Sequence, residues 1–222
     1  MINFFLVPNQ NSTTIAELVK HKKIKHLVTD RGLAVSKIEK TMHQYCLVHL
    51  MRNVQGLAEH PSTSISNTER LGGIYDALQL LFADKSRLNK GEIQFSTWLQ
   101  YNYEKWRYIL EEIEEILENN PEKKLQRFCN RILRDWKHFK VYLRARGDPM
   151  TNNPAEEALR NLVIVRKLCF GSRSDYGRSW REKIQSCIET LKRQGQSILD
   201  FLTQIIQSSR TGLLCPLIQL IN

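Results

Sequence analysis

Across residues 68–139 apolar side chains recur at three- and four-residue spacing, which commits the centre of this chain to helices. Leu71, Ile74, Leu78, Leu81 and Phe82 mark one helix over 68–88. Trp98, Tyr101, Trp106, Ile109, Ile113, Ile116 and Leu117 mark a second over 93–117, and Leu125, Phe128, Ile132, Leu133 and Trp136 a third over 122–139. Rings at that spacing read as core side chains more readily than as stacking surfaces for bases. The acidic run 111–118 reads as a solvated helix face, and 60–67, rich in Ser, Thr, Asn and Pro, as a loop. Any sheet must come from the flanking segments.

On the amino-terminal side, His26-Leu27-Val28-Thr29 is a short apolar run that fits a buried strand, and Asp30 follows it directly. A carboxylate at the carboxyl end of a strand lies where open α/β sheets place their ligands. Asp30 also fits an ordinary turn residue capping the next helix. Gln44-Tyr45-Cys46 reads as another short strand, with a helix opening at Leu47. Phe4–Val7 is a further candidate strand, and a helix over 12–22 would let it cross over and pair beside Leu27–Thr29 as part of a three-stranded sheet. On the carboxyl side the order is Thr151-Asn152-Asn153-Pro154-Ala155-Glu156-Glu157-Ala158-Leu159-Arg160. Asn152 or Asn153 can cap a helix, and Pro154 suits its first turn. Glu156 and Arg160 then share a face, with Arg166 and Lys167 beyond. Those residues fit a site handling metal and phosphate, but taken alone they favour a capped surface helix with an ion pair. Residues 171–177 read as a turn-rich connection, 179–193 and 198–208 as amphipathic helices covering the sheet, and 213–221 as an apolar tail.

Charge narrows the class of partner. The formal net charge is +10 and the pI about 9.5, so a polyanion is the natural ligand. Arg127, Arg131, Arg134, Lys137, Lys140, Arg144 and Arg146 recur at intervals that would line one helix face and its exit. Continued through Arg160, Arg166, Lys167, Arg173 and Arg178, that stripe would grip a nucleic-acid backbone without reading bases. The five cysteines are an odd number with no Cys-x-x-Cys, which argues for reduced thiols in a cytosol. No apolar run approaches a membrane span, and no signal peptide is expected.

Taken in order, these segments resemble a known family. Asp30, the run His43-Gln44-Tyr45-Cys46-Leu47-Val48-His49-Leu50-Met51-Arg52, a long helical stretch, Met150 through Glu156 and the Arg166-Lys167 pair are similar to the C-terminal part of bacterial insertion-sequence transposases of the "IS sixty-six" type. The Asn-Asn-Pro-Ala-Glu and Cys-x-x-His segments carry most of the likeness. It spans about 3 to 205, with 186–195 fitting the family's closing helix. The resemblance implies an α/β, mostly helical fold: an incomplete RNase H-like (retroviral-integrase-like) domain with a large helical insertion. Residues 1–59 would carry its first strands and the second catalytic Asp, 60–145 the insertion, and 146–222 the last helices with the catalytic Glu.

The implied chemistry is cleavage and transfer of DNA strands by an Asp, Asp, Glu triad holding two Mg2+ (or Mn2+) ions. Asp30 matches the second Asp and Glu156 the Glu, both as catalytic residues and as metal ligands. Glu157 would face outward. Cys46, His49, Asn152 and Asn153 would form the active-site wall, since a Cys-His pair alone is too small a ligand set for a closed zinc site. Arg52, Arg160, Arg166 and Lys167 would hold DNA. The expected partners are element ends and target DNA, with a second copy of the chain or an upstream transposase fragment, in a nucleoid-associated cytoplasmic setting.

One departure shapes the expectation. The family's first catalytic Asp should lie well before Asp30, yet no acidic residue precedes Glu17, itself within the expected 12–22 helix. The two-ion site would then be incomplete, and the chain a truncated, catalytically defective copy. The alternative is a non-catalytic basic protein that binds DNA or a partner transposase.

Overall fold

His26–Thr29 (β1) and Met42–Tyr45 (β2) pair in parallel, with His26 opposite Met42 and Thr29 opposite Tyr45. The computed structural model describes residues 26–30, 42–119, 121–144, 146–169, 171–172 and 174–212. Among them the sheet has two strands. The expected Phe4–Val7 strand, the helix over 12–22 and the tail over 213–221 lie outside the described residues. The second strand starts two residues earlier and ends one residue earlier than expected. Cys46 leaves the ladder to become the residue before helix α1 (Leu47–Ala58), although its N–H still donates to Thr29 O at 2.9 Å.

The helical periodicity is confirmed, with shifted ends. Helix α2 (Ile65–Asn89) opens inside the stretch expected to be a loop, because Ser64 Oγ accepts from Asn67 N and caps it. Helix α3 (Phe95–Glu118) follows. The third expected helix breaks in two, α4 (Lys123–Arg134) and α5 (Trp136–Phe139). Asp135 leaves helical geometry at φ −94°, ψ 10°, and Arg134 holds its carboxylate through Nε at 2.8 Å and Nη2 at 3.0 Å. The break lets Trp136 meet Trp106 edge-on at 5.0 Å and Phe139 meet Tyr45 at 5.6 Å. A 3-10 turn, Val141–Arg144, closes the run.

One continuous core joins these helices to the sheet. Leu47, Leu50 and Val54 of α1, Leu71, Ile74, Leu78 and Leu81 of α2, and Trp98, Trp106, Ile109 and Ile113 of α3 pack with Tyr45 and Phe139. A buried polar chain crosses it. Trp106 Nε1 donates to Tyr142 Oη at 3.0 Å, Tyr142 Oη donates to Asn102 Oδ1 at 2.6 Å, and Tyr142 N donates to Gln44 Oε1 at 2.9 Å. Paired buried groups of this kind select one arrangement of helices against strand, because misalignment would orphan several donors and acceptors together. The acidic run is only partly solvated, since Arg70 of α2 donates to Glu112 and Glu115 of α3, each at 3.0 Å.

The chain divides into two compact units, residues 15–152 and residues 1–14 with 153–222. The core above belongs wholly to the first. In the second, α6 (Asn153–Cys169) opens at the Asn-Pro pair. Helix α7 (Asp175–Arg193) starts within the expected turn, because Ser174 Oγ accepts from Gly177 N at 3.1 Å and caps it. Helix α8 (Ile198–Thr211) is capped by Ser197 and ends at Gly212, whose φ of 70° suits glycine. Only Ala158 and Leu162 form an apolar cluster there among the described residues, and α8 buries none of its residues.

Candidate functional site

Parallel pairing brings the carboxyl ends of β1 and β2 together, and with them Asp30 and Cys46. Cys46 stands just before α1 and His49 lies within its first turn, so the three-residue spacing turns both toward one side. His49 Nδ1 lies 3.0 Å from Asp30 Oδ1. Among the described residues, one ligand atom each from Asp30, Cys46 and His49 fall within 4.8 Å of one another. Cys46 is buried, His49 half-buried, and the Asp30 side chain 55 % exposed, so the group opens to solvent through its carboxylate.

A third segment completes the wall. Asn152 Nδ2 donates to the same Asp30 Oδ1 at 2.7 Å. Two anchors bring Asn152 there: His26 Nδ1 lies 3.3 Å from Asp148 Oδ1, and Leu47 N donates to Met150 O at 3.0 Å. Met150 is itself buried in the core. Residues 148–152 thus run beside the start of both β1 and α1. Thr29 Oγ1 and His43 Nε2 lie 2.7 Å apart, fastening the strand that presents Asp30 to its neighbour. Burial, reinforced by the facing His138, pushes the His43 imidazole down to about 4.

The donor set tests what this corner can hold. Mg2+ takes hard oxygen ligands and keeps several waters, which the exposed Asp30 carboxylate fits; the sulfur of Cys46 and the ring nitrogen of His49 do not. The opening of α1 beside Asp30 adds its partial positive charge, which favours a carboxylate there.

Asn153 and Glu156 belong to the second unit, in the first turn of α6. Glu156 is half-buried and Glu157 exposed, as expected for an outward neighbour. Arg160 lines a cavity of about 480 Å³ with Glu157, Glu189, Lys192 and Arg193, and Arg193 Nη2 donates to Pro154 O at 3.2 Å. Glu156 is not among that cavity's lining residues. Arg166 and Lys167 are exposed in the last turn of α6.

The basic stripe expected along 127–146 is shorter than its spacing suggested. Arg134 is paired with Asp135, Lys140 Nζ rests over the Trp136 ring at 4.9 Å, and Arg146 Nη2 donates to Leu88 O at 2.7 Å. Arg127 and Arg131 instead turn toward α1. With Lys124 and Phe128 they line a cleft of about 400 Å³ whose opposite wall is Arg52, Asn53, Gly56 and Leu57. No carboxylate lines it, and all four cations are exposed without an ion pair among the described residues. Arg52 lies one turn beyond His49 on the same helix, a rise of about 4.5 Å. Sequence reasoning named Arg52, Arg127 and Arg131 but had no means of joining them, because the join depends on the α1–α4 approach. It also treated Cys46 and His49 as a pair, missing that adjacent parallel strands deliver Asp30 as a third donor.

No helix among the described residues is long and apolar enough to cross a membrane. The family model described as Transposase IS66 family matches residues 1–179. The match takes in Asp30, Cys46, His49, Asn152 and Glu156 and ends within α7, short of the stretch 186–195 that was expected to close the pattern. No curated protein and no solved structure matches the chain.

Proposed function

Because the chain belongs to the Transposase IS66 family, and is a transposase in that general sense, we propose that Asp30 and Glu156 are the second Asp and the Glu of a DDE active site for DNA cleavage and strand transfer. The observation that supports this best is the setting of Asp30. It stands at the end of a parallel strand, exposed, with one carboxylate oxygen fixed by Asn152 and His49 and the other left to face a ligand. In this reading the domain is RNase H-like with a helical insertion, and Glu156 supplies a second carboxylate. Two Mg2+ (or Mn2+) ions, when bound, would stabilise the attacking and leaving oxygens of the phosphoryl transfer. The residues of this chain contribute orientation: Asn152 and His49 hold Asp30 in one rotamer. Arg52, Arg127 and Arg131 draw the phosphate backbone along α1 toward it. Arg160, Arg166 and Lys167 of α6 would also bind DNA.

We propose that Asp30 and Glu156 do not complete the triad on their own and that the 222 residues nick DNA poorly unaided. The test adds a polypeptide carrying the further Asp and follows Mg2+-dependent nicking of element-end DNA. Asp30→Asn and Glu156→Gln are each expected to lower the restored rate by roughly 10²–10³-fold, the scale of losing one preorganised charge-stabilising group. Unchanged nicking in both variants would overturn the assignment.

The basic cleft favours a second reading, non-catalytic binding of DNA or of a partner transposase. In that case both carboxylate variants leave every measured activity intact, and only substitutions in the cleft have an effect.

A further inference from the structure

We propose that Asp30, Cys46 and His49 form a three-ligand site for a borderline-soft divalent cation, zinc above all, with one coordination position left open. The site shares Asp30 with the proposed active site but does not rest on that reading. Its donors are one carboxylate oxygen, one sulfur and one ring nitrogen, a set that zinc and cobalt take up and that magnesium and calcium do not. A tetrahedral zinc ion at ordinary bond lengths holds such donors roughly 3.3–3.7 Å apart. All three lie within 4.8 Å of one another here, near that spacing.

The frame is rigid for a reason independent of any ion. Cys46 is tied to β1 by its N–H bond to Thr29 O, and Leu47, the next residue, is tied to Met150 O. His49 follows within the first turn of α1. Asn152 donates to Asp30 Oδ1 at 2.7 Å and His49 Nδ1 lies 3.0 Å from the same oxygen, so a cation would take Oδ2, with Asn152 in the part an outer hydrogen-bonding partner takes at metal centres. Structural zinc sites close with four protein ligands, whereas sites that bind water or substrate keep a position open. With three donors among the described residues and an exposed carboxylate at its mouth, this site is assigned to the second kind, and a phosphate oxygen suits the open position.

Cobalt reports the site directly. The 222-residue chain, kept reduced with a phosphine, is titrated with Co2+ and followed by absorption. The expected result is one equivalent bound, with a thiolate-to-cobalt charge-transfer band, displaced by Zn2+. Cys46→Ser should abolish that band, and His49→Gln and Asp30→Asn should weaken binding by roughly 10²-fold or more, while Asn152→Ala keeps the band and weakens binding roughly 10–100-fold, the scale of losing an outer partner. Circular dichroism checks each variant. Should Cys46→Ser fail to fold, His49→Gln, whose ring is partly exposed, decides the matter by losing cobalt with its melting curve retained. A charge-transfer band of full strength in Cys46→Ser, no binding by the parent chain, or unaltered affinity in His49→Gln would overturn the proposal. Glu156→Gln separates the two readings: it should remove nicking in the complemented assay yet leave the cobalt spectrum unchanged. Lost nicking in Asp30→Asn alongside intact cobalt binding would sink the metal site alone.

Discussion

His43 links the stability of this corner to pH. It bonds Thr29 across the two strands, and its ring sits edge-on to Tyr45 at 4.8 Å and tilted to His138 at 5.4 Å. Burial is the main reason its imidazole titrates near 4 in the folded chain, with repulsion from His138 adding to it. An unfolded histidine titrates near about 6.5, so between those values the unfolded state takes up a proton that the native state refuses. His43 therefore stabilises the fold fully above that range, and the contribution is lost as pH falls through it. The unfolding free energy from urea titrations should drop from about pH 7.5 to about pH 4.5 by an amount on the order of 2 kcal/mol, and His43→Gln should flatten that interval. An equal drop in the variant would place the effect elsewhere. Cys129 shows the opposite consequence of burial: its thiol is pushed up to about 12, which leaves it an inert packing residue.

Helices, rather than single residues, decide which cations can hold DNA. Spacing along 127–146 suggested a stripe, but the break at Asp135 divides it, and only Arg127 and Arg131 face α1 across the cleft with Arg52 and Lys124. Like charges converging without a carboxylate are tolerated where a polyanion neutralises them. Arg52→Ala and Arg131→Ala should each weaken binding to DNA of any sequence and lower the slope of log affinity against log salt by about 1, measured by fluorescence anisotropy. Arg134→Ala should change neither, because Arg134 already pairs with Asp135. Equal effects at all three positions would mean that DNA meets an undivided stripe. The break itself was hidden in the sequence, since Leu125, Ile132 and Trp136 keep helical spacing through it. The starts of α2 and α7 were misplaced for a related reason: Ser64 and Ser174 lie in polar stretches that resemble loops, and only the observed cap bonds mark them as helix starts.

Across the whole molecule, burial is uneven. The unit formed by 15–152 holds a core with Trp98, Trp106, Tyr142 and Phe139 fully buried, whereas the described residues of the unit containing 153–222 form a two-residue apolar cluster and α8 buries nothing. Opening costs little where few apolar contacts are lost, so amide exchange should be slower in α2 and α3 than in α8 by on the order of 10²-fold or more. Uniform protection would mean that the second unit gains its stability from contacts beyond its own core. Much of this protein is legible in the order of its residues: the helical centre, the short strand ending in Asp30, the Asn-Pro helix start and the basic balance all follow from local spacing and composition. The Asn-Asn-Pro-Ala-Glu and Cys-x-x-His segments are also enough to suggest the family. What the sequence could not decide were the junctions. The approach of Cys46 and His49 to Asp30, the reach of Asn152 across 122 residues of chain, and the meeting of Arg52 with Arg127 and Arg131 depend on a parallel strand pair and on helices packed around one core. Spacing along a chain records which face of an element a residue occupies, and only tertiary packing brings two such faces together.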